Sequence, residues 1–378
     1  MYSLYLYPWD AAGSQMAGVL GRIAAAGINT VKVAAIYHTG KILLTANSSA
    51  RVRFPEDGAV YFRPFSEEWH NLALKPPISR LCATGDPLAE ICAEAPRHGL
   101  AVGAWVVCLH NRAITAARPD VSTVNAYGDR YPHSLCPMQP EVRQYLRGMV
   151  QELAGRPLRN IVLEAAGFVP FRHYSYVQVE GVEVGDWENL LLSLCFCEAC
   201  VRELPGMMKV RALVRAELDE FLRTGLPRNP AQAADALKPV LSARTNAITD
   251  LVRLMSETAA RGGKRLSVIA SGGPADVLTG IDLAKIGRYS AAVDFAYYDA
   301  ANAALDGQLA AVCAAIPPSC MTDLLLRPGF PDARSAEDIG DKLSIGRKIG
   351  LANFSFYNYG LLPAQAWEWM KQAIAESR

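Results

Sequence analysis

Three thiols fall within six residues at Cys195, Cys197 and Cys200. That spacing lets one tetrahedral metal ion gather all three as thiolates. Upstream of them a short apolar run, Ile161-Val162-Leu163, ends in Glu164. An acid that closes a buried strand is costly unless it is partnered or used, so Glu164 is the first candidate for proton transfer. Between acid and thiols lies a long segment carrying Arg172, His173, Tyr174, Tyr176 and Trp187, and segments of that length inside a compact domain are usually functional.

A closed tetrahedral site needs a fourth ligand, and Cys136 in HSLCPMQPEVRQYL is the best placed. Four thiolates leave no position for water, so the expectation is a structural zinc held by Cys136, Cys195, Cys197 and Cys200. The competing reading is a set of buried thiols packed at a helix start. Cys82, Cys92, Cys108, Cys313 and Cys320 sit in apolar surroundings and read as core residues.

These residues need a scaffold, and the hydrophobic pattern supplies one. Strand patterns occur at 2–9, 28–37, 100–109, 159–163, 265–270, 292–298, 321–326 and 353–357, with helical periodicity between them. Asp86-Pro87 reads as an N-cap and first-turn pair, and Ser335 to Asp338 as a capping pattern. The segment 201–262 reads as a long helical insertion, broken near Pro227 and Pro230. Eight strands alternating with helices predict one (β/α)8 barrel over residues 1–378. No dinucleotide glycine fingerprint or phosphate loop follows any strand, which weighs against an open doubly wound sheet. In a barrel the active site lies at the C-terminal strand ends. His38, His70, His110, His133 and His173 all fall there or in the segments that follow, and His98 alone falls in a helix.

Composition narrows the function. Apolar residues make up 51% and charged residues 20%, with a formal net charge of +1, so nothing favours nucleic acid or an anionic membrane as partner. The start MYSLYLYPWD lacks a basic region followed by an apolar stretch, and the expectation is a cytoplasmic protein. Whether it forms a homo-oligomer is left open.

The pairing of a CPxxPxxR element at Cys136 with a later CxCxxC, on a barrel that carries a strand-four glutamate between them, resembles the zinc-containing β-galactosidases of glycoside hydrolase family 42, and more broadly glycoside-hydrolase-like barrels. The end FSFYNYGLLP is similar to the aromatic strand eight of those barrels. The resemblance implies a (β/α)8 fold, a structural zinc and a glycosidase activity on a small carbohydrate, with Glu164 as acid/base. Two departures concern the chemistry: Leu163 precedes the glutamate where that family has asparagine, and MTDLLLRPG offers no strand-seven glutamate.

A glycosidase of the usual kind needs two carboxyl groups, ~5–5.5 Å apart when retaining and ~6.5–9.5 Å apart when inverting. Beside Glu164, the candidates are Asp323 within strand seven, Asp299 after strand six and Asp10 after strand one. Sugar rings present apolar faces and polar edges, for which Trp9, Tyr37, Tyr357 and Tyr359 are the candidate platforms. His38, His110, Asn111, Arg172, His173 and Arg327 are the candidate hydrogen-bonding groups, and Glu164 is expected to line the main cleft. Two other functions stay open: a barrel lyase or isomerase acting on a small polar substrate, and an inactive barrel that binds sugar.

Overall fold

The strands of this chain are apolar almost throughout because both of their faces are covered. The structure, a computed structural model, describes residues 1–46, 50–173, 179–204, 206–226, 233–271 and 273–377. Tyr174, Tyr176, Pro227 and Pro230 lie outside the described residues.

Eight parallel strands are β1 Tyr2–Leu6, β2 Thr30–Tyr37, β3 Ala101–Val107, β4 Asn160–Glu164, β5 Arg265–Ala270, β6 Ala292–Tyr297, β7 Met321–Leu326 and β8 Asn353–Phe356. Each pairs with its sequence neighbour, and β1 pairs with both β2 and β8, so the sheet closes on itself. This is the (β/α)8 barrel that the strand pattern predicts. The first strand is shorter than predicted, because Pro8 opens a 3-10 turn at Pro8–Ala11 and supplies no backbone donor to the sheet.

Alternation along the strands builds two cores. Tyr2, Leu4 and Leu6 of β1 join the large apolar layer between sheet and helices. Tyr5, Tyr7, Ala34, Tyr37, Trp105, Val107, Val162 and Leu325 form a separate aromatic cluster inside the barrel. The helices of the outer layer are α1 Met16–Ala25, α2 Pro87–Glu94, α3 Pro140–Ala154, α4 Asp186–Ser193, α5 Glu198–Glu203, α6 Met207–Thr224, α7 Ala234–Arg261, α8 Leu305–Ala315, α9 Ala336–Lys348 and α10 Ala364–Glu376. Asp86 caps α2 through the Ala89 N–H at 2.9 Å, and Ser335 caps α9 through the Asp338 N–H at 3.1 Å, as their sequence positions predict. Helices α4 to α7 make the β4–β5 connection the most elaborate of the barrel. No helix among the described residues is long and apolar enough to cross a membrane.

On the C-terminal side, short antiparallel ribbons extend the loops. Ile42–Leu43 pairs with Val52–Arg53 after β2, and Ser122–Val124 pairs with Arg130–Leu135 after β3. A bridge between His110 and Ser134 ties the second ribbon to the end of β3.

Candidate active site and metal-binding cysteine cluster

The register places Glu164 opposite Val107 at the C-terminal end of β4. Two residues earlier on the neighbouring strand, Trp105 also points into the barrel and donates its indole N–H to Glu164 Oε2 at 2.5 Å. The carboxyl is half-buried. Burial raises its pKa, while the field of His38 and the Trp105 N–H act in the opposite direction. A carboxyl group set against ring faces and a single dipole keeps its proton to higher pH than one in water.

Around it stand phenols contributed by three strands. Tyr7 follows β1, Tyr37 ends β2 and Tyr357 follows β8. The Tyr7 hydroxyl donates to Tyr37 at 3.1 Å, and the hydroxyls of Tyr7 and Tyr37 lie 2.9 Å and 3.2 Å from that of Tyr357. Trp105 packs edge-on against Tyr37 and Tyr357, with ring centroids 5.0 and 5.7 Å apart. Tyr7 and Tyr37 are buried, whereas Tyr357 is half-buried and forms the solvent side of the triangle. Tyr298 stands 6.0 Å from Tyr357.

A second group consists of imidazoles. His38 stacks on Tyr37 at 4.2 Å and on His110 at 4.6 Å, and His110 meets His173 at 4.8 Å and His133 at 5.6 Å. Burial pushes His133 and His173 down to about 4; burial and the neighbouring imidazoles push His110 down to about 2. These three rings are therefore neutral at physiological pH, and each can donate and accept a hydrogen bond.

Several predicted site residues are placed elsewhere. Asp323 lies low in the barrel, where its Oδ2 accepts from Lys32 Nζ at 2.9 Å and from Ser355 Oγ at 2.8 Å. Lys32 also pairs with Asp294, whose Oδ2 accepts from the Tyr5 hydroxyl at 2.8 Å. Asp323 is thus part of the floor, not the mouth, because the inward positions of β7 reach the rim only beyond Leu325. Asp299 is exposed and caps its own turn through the Ala301 N–H at 2.9 Å. Asp10 is buried, accepts from the Tyr7 backbone N–H at 3.3 Å and leaves Oδ1 unpartnered against Gly360, so burial raises its pKa to about 7.

The aromatic and polar expectations divide in the same way. Trp9 is no open platform: it stacks on Tyr7 at 4.6 Å and is covered by the Arg53 guanidinium at 5.0 Å. Tyr359 faces outward, bonded to Arg22 and packed on Trp367 in a cleft of about 320 Å³ between α1 and α10. Asn111 is fully buried, caps the helix Arg112–Ala117 through Ile114 N–H at 3.0 Å and donates to the Gly58 carbonyl at 3.2 Å. Arg172 is exposed and pairs with Glu180 at 3.8 Å. Arg327 is at the rim, bonded through two nitrogens to buried Asp332 and lying 4.5 Å above the Tyr298 ring. Gathered in or around the mouth are Glu164, His38, His110, His173, Tyr37 and Tyr357. Glu164 lines neither the outer cleft at Tyr359 nor the small cavity at the barrel floor.

Trp105, Tyr7, Lys32, Asp294 and Asp332 were not among the predicted site residues. For Lys32 a signal existed: a lone charge in the apolar run TVKVAAIY requires a partner. Trp105 gave none, because in a strand buried on both faces the inward side is not marked.

The cysteines converge as their spacing predicts. Cys136 ends the loop after β3, Cys195 and Cys197 link α4 to α5, and Cys200 lies in α5. Cys136 Sγ is 3.5 Å from Cys200, 3.6 Å from Cys197 and 3.7 Å from Cys195, and all four are buried. Among the described residues this is the one group of His, Cys, Asp and Glu side chains close enough to hold a metal ion, with ligand atoms within 4.8 Å of one another. The Val124 N–H points at Cys195 Sγ from 3.4 Å and Gln139 Nε2 at Cys197 Sγ from 3.6 Å. Such donors suit thiolates. Nearby, buried Arg244 of α7 donates to the carbonyls of Ser193 at 3.1 Å and Leu278 at 2.8 Å. Its cation faces the sulfur cluster while tying the cysteine loop to the chain after β5.

No protein-family model and no curated protein matches the sequence. Solved structures do resemble it in fold. The PgaB (BpsB) glycoside hydrolase domain from Bordetella bronchiseptica aligns over 100% of this chain and 97% of its own, at TM-score 0.58 and 13% identity. The catalytic domain of β-amylase from Paenibacillus polymyxa aligns over 100% and 98%, at TM-score 0.57 and 12% identity. A β-galactosidase from the haloarchaeon Halorubrum lacusprofundi aligns at TM-score 0.61 and 10% identity, and this chain spans 58% of its length. At these identities the likeness is one of barrel architecture.

Proposed function

We propose that the protein is a glycoside hydrolase acting on a small glycoside or oligosaccharide, with Glu164 as the general acid that protonates the leaving oxygen. The observation that carries this reading is the setting of Glu164: a half-buried carboxyl at the C-terminal end of β4, its pKa raised by burial, hydrogen-bonded by Trp105 and surrounded by phenols and imidazoles. Burial keeps the proton on this carboxyl to higher pH than in water, which is what a general acid requires. The setting also offers ring faces and hydrogen-bonding edges to a sugar. The glycoside hydrolases among the structural neighbours support the same class.

The test is release of free sugar from a panel of aryl glycosides by the purified protein. Glu164→Gln keeps the shape and cannot supply the proton, so activity should fall by about 100- to 10,000-fold, the range typical of general acid catalysis. A loss of only a few fold on a good substrate would remove Glu164 from the role. Binding of a glycan without turnover, equal in the native protein and Glu164→Gln, would favour a barrel that binds sugar and does not cleave it.

The cysteine cluster is assigned to one structural zinc ion. Four ligands at the usual Zn–S distance of ~2.3 Å in a tetrahedron set the sulfurs ~3.8 Å apart, and the separations from Cys136 are 3.5–3.7 Å. With all four positions filled by sulfur, the metal would hold the loop after β3 to the helices after β4. Metal analysis of protein purified without chelator should give about one zinc per chain. Cys197→Ser should lower thermal stability more than it lowers the activity of the folded fraction, and protein free of zinc with unchanged stability would refute the assignment.

A further inference from the structure

The ribbon after β2 turns a cation inward and apolar side chains outward. In it Ile42 lies opposite Arg53, and Leu43 opposite Val52. Ile42 is buried and Arg53 half-buried, whereas Leu43 and Val52 are 65% and 51% exposed. A ribbon that served only as cover would hold Val52 inward and leave the arginine in water, because a guanidinium gives up hydration on burial and needs acceptors in return. Arg53 has none: among the described residues it makes no hydrogen bond or ion pair, and its Nε is buried without a partner. Its guanidinium lies over the Trp9 ring at 5.0 Å, a contact that holds the cation in place and supplies no oxygen to its N–H groups.

The place of this cation ties it to the mouth. Trp9 stacks on Tyr7 at 4.6 Å, and Tyr7 packs at 5.7 Å on Trp105, the residue that donates to Glu164. Arg53 is thus two ring contacts from the phenol triangle, within the span of a disaccharide. Two buried donors nearby also lack acceptors: the hydroxyl of Tyr61, whose ring meets Trp9 edge-on at 5.5 Å, and Nδ2 of Asn358, the residue after Tyr357. The neighbouring acids do not answer them. Glu56 accepts from the Ser79 hydroxyl and from the Arg80 N–H at 2.9 Å. Asp10 feels the charge of Arg53 and makes no ion pair with it, and burial raises its pKa to about 7. Donors left without acceptors point to a ligand that brings one.

We propose that Arg53 determines specificity by binding the carboxylate of an acidic sugar, so that the substrates of this barrel are glycosides containing a uronic acid. The inference rests on the glycosidase reading and deepens it. A guanidinium presents paired N–H groups whose spacing matches the two oxygens of a carboxylate, and stacking on Trp9 fixes the plane in which they are offered. A neutral sugar brings only hydroxyls and leaves the charge of Arg53 unanswered. Arg53 touches no reacting atom in this arrangement; it selects the substrate and orients it towards the half-buried Tyr357 and Glu164.

The experiment measures binding by calorimetry to native protein, Arg53→Gln and Arg53→Lys. The ligands are 4-nitrophenyl β-glucuronide against the β-glucoside, 4-nitrophenyl β-galacturonide against the β-galactoside, and cellobiouronate against cellobiose. At least one acidic sugar should bind about 10- to 100-fold more tightly than its neutral partner, the range for hydrogen bonds to a charged group, and the preference should weaken with added salt. Arg53→Gln should bring that sugar to the affinity of its neutral partner. Arg53→Lys, which keeps the charge and loses the fork, should keep only part of the preference, and it decides the matter if Arg53→Gln does not fold. Equal or absent binding in every pair, or a full preference in either variant, overturns the proposal, as does tighter binding of 4-nitrophenyl β-glucoside 6-sulfate than of the glucuronide. Release of 4-nitrophenol by native protein and Glu164→Gln tests the glycosidase reading separately. Cleavage of neutral glycosides with no acidic preference keeps that reading and removes the role of Arg53; acidic preference without any cleavage does the reverse.

Discussion

At the floor of the barrel Asp294 and Asp323 share the ammonium of Lys32, whereas at the mouth Glu164 meets a single indole N–H and the field of His38. Both regions set carboxyl groups in apolar surroundings, so burial pushes both Asp294 and Glu164 upward. Their compensation differs. At the floor a full opposite charge, a Ser355 hydroxyl and a Tyr5 hydroxyl fix the carboxylates in place, as in a buried ion pair that specifies structure. At the mouth the compensation of Glu164 is limited to the Trp105 indole N–H and the field of His38. The contrast separates a carboxylate that holds the barrel from the one proposed to do chemistry.

The strongest way to break that contrast is at the floor. Removing the ammonium leaves two buried carboxylates facing each other, so Lys32→Met should cost about 3–5 kcal/mol of stability, measured by denaturant unfolding. Glu164→Gln in the same assay should change stability by no more than about 1.5 kcal/mol, because the amide oxygen still accepts from Trp105 and no cation loses its partner. Equal losses in the two variants would erase the distinction.

A smaller effect tests the indole. Trp105→Phe keeps the ring wall and removes the donor to Glu164, and a hydrogen bond to a charged group contributes about 1.5–3 kcal/mol. Because that bond favours the ionised form, its loss should raise the pKa of Glu164 further and move the alkaline limb of the pH–rate profile to higher pH. An unmoved limb would show that Trp105 only fills space.

A third test reads pH, at Asp10, a buried carboxyl outside the mouth. Its folded pKa of about 7 lies above the ~3.9 of an unfolded aspartate, so the native state holds the proton more tightly. Stability should therefore be greatest below about pH 4 as far as this group is concerned, and fall as pH rises from ~4 towards ~7. In Asp10→Asn this contribution to the slope should be absent, as read from thermal midpoints across that range. An identical slope in both proteins would place Asp10 in contact with water or a cation.

The sequence by itself determined the eight strands, because a long apolar run bounded by turns has few alternatives in a chain that alternates with helices. It determined the cysteine cluster, since CxCxxC constrains three ligands locally and leaves only the source of the fourth to the fold. It also put Glu164 at a strand end. Tertiary structure alone decided which side each strand turns inward, because both faces of a barrel strand are buried and neither is marked by polar residues. Thus Trp105 became the wall beside Glu164, Asp323 fell to the floor, and Tyr359 turned outward to Arg22. The triangle of Tyr7, Tyr37 and Tyr357 joins residues separated by as many as 350 positions. No local pattern encodes it, because it exists only when β1, β2 and β8 meet as the barrel closes.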